Sequence, residues 1–404
     1  MKKYLIPFIT AMLLFPVSAA DFGVDTKGDV SATKYSDSDG SAESESTVSV
    51  IGWVRSTMEL SSINFRGGMI YDSESGDTLP SMTVLNLTGY TGPYKRVMYS
   101  VGRIGSSDPS GLIGRTPMDG GAVRIRTGEI SFLFNAGYTG FLFKEDTKIA
   151  VTPNDILQLA DDDEVTGVPR ILTTAVLGFP GFMGRHDLKL QMTGQFDMWD
   201  SSDGSFDSLH TQYLGMSLEG PLSPVFFYRL GAVMGTAGMG SGSVGVSGAG
   251  RASVSWLKPD MMSLCVTAGV STATGDPDRS GYIDDDGSGQ QFVPLVPQAN
   301  GQVLEAALSN NLLGNLKISV KPTRTFLTEL SLMPVYRLTD GPVNYAGSES
   351  AGFAGMETDL LVAYAPFSDV RFDIAGGIFA PSDNFADGYD SVKWGIKTSL
   401  TLKM

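Results

Sequence analysis

Few side chains in this sequence are suited to covalent chemistry. The chain has two histidines, His186 and His210, and a single cysteine, Cys265. Neither histidine has a His, Cys or Glu partner at the spacing of a metal site. His210 lies near Ser208, as in a hydrolase pair, but no nucleophile elbow or third catalytic group accompanies them. The sequence therefore predicts a protein that is not an enzyme and that requires no cofactor.

One acidic segment has the ligand spacing of a calcium loop. Oxygen-bearing residues occupy positions one, three, five and nine of an EF-hand-type loop, namely Asp276, Asp278, Ser280 and Asp284. Glycine stands at position six, where such a loop turns sharply. Position twelve is Gly287 instead of the expected acid, although Asp285 or Asp286 could substitute. Two interpretations stay open, a calcium site and a solvated acidic loop.

The distribution of charge is more informative about transport. The 44 Asp and Glu residues outnumber the 29 Lys and Arg residues, which gives a formal net charge of -15 and argues against nucleic-acid binding. Loop-like segments carry most of the acids, whereas basic residues recur at alternate positions in strand-like segments. A net-acidic chain is thus predicted to enclose a net-basic channel that attracts anions. Alternatively, these charges pair across strands and simply keep the interior wet.

The charged residues on the polar face of these strand-like segments are the candidate pore-lining and selectivity residues. They are Arg55, Arg66, Arg124, Arg126, Lys317, Glu329, Glu357, Asp359, Arg371, Lys393 and Lys397.

The alternation is clearest in residues 392–404. Trp394 and Ile396 fall on an apolar face, and Lys393 and Lys397 fall on a polar face. A long strand with one apolar face suits a tilted bilayer crossing that has lipid outside and water inside. Many segments run about 10 to 13 residues, roughly twice the usual globular strand, which disfavours the alternative of a soluble β-sandwich.

Very short turns alternate with longer polar loops along the chain. Nine long loops are predicted, which implies an all-β fold of about eighteen strands in one up-and-down antiparallel barrel, with sixteen strands as the alternative. The pattern is weakest over residues 149–159, where loop, short helix or strand all fit. Glycine-rich residues 101–126 are expected to fold into the barrel, with Asp108, Arg115 and Asp119 at a constriction; an exposed surface loop is the alternative.

The first twenty residues are typical of a secretory signal. Lys2 and Lys3 precede an apolar run, and small residues suited to cleavage follow at 18–20. Residues 1–20 are therefore expected to form a signal peptide, and residues 21–404 a transmembrane β-barrel in the cell outer membrane.

Several short motifs resemble the alginate-export outer-membrane proteins. The likeness covers the C-terminal third, and elsewhere only the layout. The motifs that carry it are Thr274-Gly275-Asp276, Gln291-Phe292-Val293-Pro294, Leu308-Ser309-Asn310-Asn311-Leu312, Lys321-Pro322, Gly355-Met356-Glu357-Thr358-Asp359-Leu360, Val101-Gly102-Arg103 and Met118-Asp119-Gly120. The resemblance implies a monomeric barrel with an arginine-rich pore for an anionic polysaccharide or another solute. It also implies pore or selectivity roles for Arg103, Asp119, Glu357 and Asp359.

These features together predict a porin for passive diffusion of hydrophilic, anionic solutes or saccharides, in contact with outer-membrane lipid. One alternative is a structural or adhesive barrel that acts through its acidic loops. A transporter of hydrophobic substrates is disfavoured because the predicted inner face is charged.

Overall fold

A computed structural model describes residues 20–35, 42–74, 76–147, 149–161, 164–199, 208–239, 244–276, 291–340, 350–385 and 391–404. Within these ranges, no helix combines the length and the apolar composition needed to cross a membrane. The predicted signal peptide lies outside the described residues except for Ala20, so the division at residue 20 stays a prediction.

Eighteen strands form one closed antiparallel sheet. Each strand pairs with its neighbours in sequence, and β1 pairs with both β2 and β18, which closes the ring. The prediction of an eighteen-stranded barrel is confirmed, and the alternative of sixteen strands is wrong. The strands are β1 Ala20–Tyr35, β2 Glu43–Thr57, β3 Ser61–Asp72, β4 Thr78–Thr91, β5 Val97–Gly105, β6 Pro117–Thr127, β7 Ile130–Tyr138, β8 Arg170–Phe182, β9 His186–Asp197, β10 Leu209–Pro221, β11 Phe226–Met239, β12 Val244–Lys258, β13 Leu264–Ala273, β14 Asn311–Thr323, β15 Phe326–Arg337, β16 Gly352–Phe367, β17 Val370–Pro381 and β18 Lys393–Lys403.

Every second side chain of a strand points away from the lumen. These outward side chains are mostly apolar, so the outer surface of the barrel is apolar. On β18, Trp394, Ile396 and Leu400 are exposed on the outside. On β14 and β15, Leu313 and Met333 instead belong to a buried cluster inside the ring. The two faces of one strand therefore meet different surroundings, as the sequence pattern predicts.

Three of the long loops fold into the barrel. We call them loop A (residues 106–116), loop B (residues 139–169) and loop C (the described residues 291–310). Their apolar side chains join inward residues of the wall in one buried cluster. Loop C is held against the wall by the Tyr213 hydroxyl, which donates to the Val293 carbonyl at 2.7 Å, and against loop A by the Val296 N–H, which donates to the Ile113 carbonyl at 3.1 Å. Loop A is the middle of the glycine-rich segment that was expected to turn inward.

Loop B contains the only α-helix among the described residues, α1, over Pro153–Ala160. The Thr152 hydroxyl accepts a hydrogen bond from the Asp155 N–H, and the Asp155 carboxylate accepts one from the Thr152 N–H at 2.8 Å. This reciprocal pair is a capping box. A short helix is thus the correct choice among the three interpretations of residues 149–159.

Loop B also completes the wall beside β4. The pairing of β4 with β5 stops at Leu85 and Arg103, although β4 continues to residue 78. Beyond that point, Asp146 accepts hydrogen bonds from the Ser81 hydroxyl at 2.6 Å and from the Met82 N–H at 2.7 Å. A loop carboxylate thus satisfies strand groups that have no partner on β5 at this point.

The two faces of β14 allow a direct test of the orientation. Leu316→Arg places a charge on the lipid side of mid-strand, and we expect it to lower the free energy of unfolding by about 2–4 kcal/mol. The neighbouring Asn315→Arg faces the lumen and should change that free energy by less than about 1 kcal/mol. Denaturant unfolding in lipid bilayers measures both; equal effects would contradict this orientation.

Candidate functional site

A cluster of four cations lies in the lumen below loop A. Arg124 and Arg126 of β6, Lys189 of β9 and Arg115 of loop A line one cavity of about 250 Å³. Leu133 and Val176 contribute an apolar wall to the same cavity. The site therefore combines several cations with a small apolar surface.

Strand periodicity explains why these residues converge. On β6, Val123 and Ile125 are exposed on the outer face, so Arg124 and Arg126 between them face the lumen. Arg124 lies opposite Leu133, and Leu133 lies opposite Val176, which places all three on one face of the sheet.

Asp108 gives loop A its shape. Its two carboxylate oxygens accept hydrogen bonds from the Gly111, Ile113 and Gly114 N–H groups at 2.8–3.0 Å and from the Ser110 hydroxyl at 2.6 Å. Asp108 is only 2% exposed. It thus supplies acceptors that the loop backbone would otherwise lack inside the barrel. The Arg115 guanidinium donates to the Asp108 carbonyl at 3.2 Å. Its side chain is exposed and lines the cavity.

The lumenal charges divide into paired and unpaired groups. Arg66 pairs with Asp25 at 2.8 Å, Lys317 with Glu329 at 2.7 Å and Arg371 with Asp373 at 2.8 Å.

Within the described ranges, Arg115, Arg124 and Arg126 have no ion-pair partner. Lys189 is shared between Asp187 at 2.6 Å and Glu219 at 3.5 Å. Three of the four cations that line this cavity are therefore uncompensated by an ion pair.

Three further predicted residues lie elsewhere on the inner face. Arg55 lines an open cleft of about 540 Å³ at the short-turn end of the barrel, together with Asp21, Phe22 and Trp53. Lys393 and Lys397 follow the same inward alternation on β18. None of the three contributes to the cavity below loop A.

Arg103 is held in the wall, and Asp119 beside it is partly exposed. The guanidinium forms a bidentate pair with Asp119, with both bonds at 2.8 Å, and also donates to the carbonyls of Met82 and Phe141 at 2.9 Å. Arg103 is 5% exposed. It bridges β4, β6 and loop B where the β4–β5 pairing ends; the pore or selectivity role implied by the resemblance stays a prediction.

Glu357 is likewise an anchor and does not line open space. It is fully buried, and its carboxylate accepts the N–H groups of Gln302, Val303 and Leu304 at 2.6, 2.7 and 3.0 Å. Asp359, two residues along the same face, is 8% exposed and accepts from the Ser331 hydroxyl at 3.3 Å. Strand alternation predicted the face of these acids correctly, but loop C covers them.

A buried ion pair that the sequence did not reveal fixes loop B. Arg170 at the start of β8 donates to Asp155 of α1 at 2.6 Å and reaches Asp197 at 3.3 Å. The indole N–H of Trp199 donates to the same Asp155 at 3.3 Å. Arg170 and Asp155 are both completely buried. The Thr152–Asp155 capping-box spacing was the one available sequence sign of this helix.

The predicted metal site falls mostly outside the described residues. Asp278, Ser280 and Asp284 are not described, whereas Asp276 is buried and its carbonyl accepts from the Thr339 hydroxyl at 3.1 Å. No group of three or more His, Cys, Asp or Glu residues in the described part of the chain could hold a metal ion. Calcium binding stays a prediction.

A closed ring of eighteen strands, with an apolar exterior and a charged lumen narrowed by inward loops, is the architecture of a transmembrane β-barrel. No protein-family model matches the sequence, and no curated protein matches it at the sequence level.

Solved structures from Pseudomonas aeruginosa share the fold. OpdQ has 9% identity and a TM-score of 0.64, with 96% of this chain and 99% of that chain covered. OccK2 (OpdF) in complex with glucuronate has 11% identity and a TM-score of 0.62, with 95% and 98% covered. The outer membrane protein OpdK has 9% identity and a TM-score of 0.60, with 96% and 98% covered. The predicted outer-membrane location agrees with this shared fold, and the alginate-export resemblance stays a prediction.

Glu357→Gln should loosen loop C without changing side-chain size. Hydrogen bonds to a charged group are worth about 1.5–3 kcal/mol each, so loss of the charge should weaken the hold on residues 302–304. Amide hydrogen exchange at these residues should accelerate. Glu329→Gln is the matched control, because Glu329 is a partly exposed partner of Lys317 and does not contact loop C. Unchanged protection of residues 302–304 in the Glu357 variant would contradict the anchor.

Proposed function

We propose that this barrel is an outer-membrane channel for passive diffusion of small hydrophilic solutes, with a preference for anions. The observation that carries the proposal is the set of unpaired cations, Arg115, Arg124 and Arg126, beside Lys189 in the cavity below loop A. The fold shared with the outer-membrane structures described above supports the channel part of the proposal.

The size of the Coulomb interaction between two charges favours the unpaired cations as the residues that set ion selectivity. Two unit charges 4 Å apart interact with about 1 kcal/mol in bulk water but about 4 kcal/mol at the effective dielectric constant of ~20 near a protein surface. The field of a paired cation such as Lys317 is largely cancelled by its partner, whereas Arg124 and Arg126 act on a passing ion directly. Anion preference should therefore depend on β6 more than on the total number of basic residues.

The same features favour a small solute over a polymer. Loops A, B and C pack against the wall in one buried cluster, and the basic cavity has a volume of about 250 Å³. A carboxylate on a compact hydrophilic body suits such a site. Glucuronate, bound by the structural neighbour OccK2, is a solute of this kind and supports this chemical class for the present chain.

The channel works as a monomer, without a nucleotide or another bound cofactor. All eighteen strands of the ring come from a single chain, so no second copy is needed to close the pore. The alternative of an adhesive barrel acting through its acidic loops is separated by liposome swelling, since proteoliposomes that admit no solute of any size would favour adhesion.

Reversal potentials in a salt gradient test the selectivity element. The wild type should prefer anions, and Arg124→Ser combined with Arg126→Ser should lower the ratio of anion to cation permeability by about threefold or more. Lys317→Gln combined with Glu329→Gln is the control, because it removes one lumenal ion pair without a change in net charge. Cation preference in the wild type, or equal ratios in the β6 variant and the wild type, would overturn the proposal.

A further inference from the structure

The short turns of the barrel expose large apolar side chains. Eight short turns join successive strands at the end opposite the inward loops, and seven of them carry such a residue at or beside the tip. These residues are Leu60, Tyr94, Ile130, Met183, Leu222, Met262 and Phe367, with exposures of 51, 91, 44, 83, 63, 62 and 68%. The remaining turn, at residues 324–325, carries none. Exposed apolar surface repeated in this way indicates a surface that is covered in the native setting.

The backbone conformation of three tip residues also indicates that these side chains are covered in the native setting. Tyr94, Met183 and Met262 have φ values of 57, 49 and 54°, in the left-handed region that glycine occupies without strain. A bulky residue there is strained relative to glycine. In water, neither the strain nor the exposed apolar side chain brings any gain in stability. Burial of these side chains in an apolar medium would offset both.

The tips continue the apolar exterior of the barrel. Beside the turn that carries Leu222, Phe226 stacks on Trp256 with ring centroids 6.5 Å apart. Above Phe367, the outward residues Tyr364 and Phe372 are about half exposed. The surface that faces lipid along the strands therefore extends onto the turns without a polar break at these sectors.

Cations lie next to the aromatic tip at one turn. The Arg96 guanidinium lies 5.6 Å from the centre of the Tyr94 ring, and the Lys95 ammonium lies 5.9 Å from the centre of the Tyr90 ring. Aromatic and cationic side chains at the same depth are typical of the boundary between acyl chains and phosphate groups.

We infer that the short-turn end is seated in the membrane, with its tip residues inserted at the headgroup and acyl boundary of the periplasmic phospholipid leaflet. The seven turns lie between β2 and β3, β4 and β5, β6 and β7, β8 and β9, β10 and β11, β12 and β13, and β16 and β17, so they are distributed round the ring. Lipid surrounds a barrel on every side, whereas a protein partner on one side would need one patch. A partner across the mouth would block the solute path. The inference rests on the proposed function, because it assumes that the strands cross the membrane.

Site-specific quenching tests the depth of the tips. In a Cys265→Ser background, Met183→Cys, Leu222→Cys and Met262→Cys are each labelled with an environment-sensitive fluorophore and reconstituted in vesicles of phosphatidylethanolamine and phosphatidylglycerol. Lipids spin-labelled near the headgroup should quench these three sites at least about twofold more than Arg324→Cys, and aqueous iodide should quench them less. Arg324 is the matched control because its turn has no exposed apolar side chain.

A labelled site in the middle of a strand distinguishes failure of the inference about the turns from failure of the channel proposal. Ile396→Cys lies on the outer face of β18 and should be quenched by lipids labelled deep in the acyl chains. If Ile396→Cys responds to lipid while the three tips respond to iodide as Arg324→Cys does, the seating of the turns is overturned and the channel proposal survives. If Ile396→Cys also fails to respond to lipid, the barrel does not cross the bilayer and both are overturned.

Discussion

Backbone hydrogen bonding in a medium without water is the constraint on which this structure depends. A strand that crosses lipid must bond on both edges, since each unsatisfied N–H or carbonyl costs several kcal/mol there. The chain meets this requirement by pairing β1 with both β2 and β18. Closure fixes the alternation of every strand, because each strand then has one lipid face and one lumenal face. Where β5 no longer pairs with β4, Asp146 and Arg103 supply the missing partners from side chains.

The same requirement applies to the loops inside the barrel, where apolar packing excludes water from the backbone. Asp108 accepts bonds from three N–H groups within loop A, and Glu357 accepts three from loop C. Arg170 and Asp155 hold loop B in a pair that is completely buried. Removing one partner of such a pair leaves an uncompensated charge and is strongly destabilising. Charge in this barrel thus occurs in two settings: buried charges position the loops, and the cations Arg124 and Arg126 on β6 face the lumen.

Periodicity explains how much could be predicted from the sequence. Alternation is a local property, so β18 and the eighteen-strand count followed from the chain alone, as did the inward direction of Arg124 and Arg126. How deeply a side chain is buried, and which loop covers it, depend on residues that are distant in sequence. Glu357 is on the predicted face, but its partners at residues 302–304 lie about fifty residues away in sequence, and no repeat indicates that loop C covers it. Arg103 was singled out by a short motif, which gave no indication of its bonds to Met82 and Phe141. Arg170 and Asp155 were missed for the same reason, since neither belongs to a periodic pattern.

Because loop B closes the β4 edge, it limits the changes in loop length that this barrel can accept during evolution. Loops between strands normally tolerate insertions and deletions because they lie outside the scaffold. Here a segment of loop B substitutes for a strand partner at Ser81 and Met82, so it belongs to the scaffold itself. A deletion that withdrew Asp146 would leave a lateral gap toward the bilayer. Length variation among descendants of this chain should therefore avoid residues 141–147 and accumulate in loops that do not contact the wall.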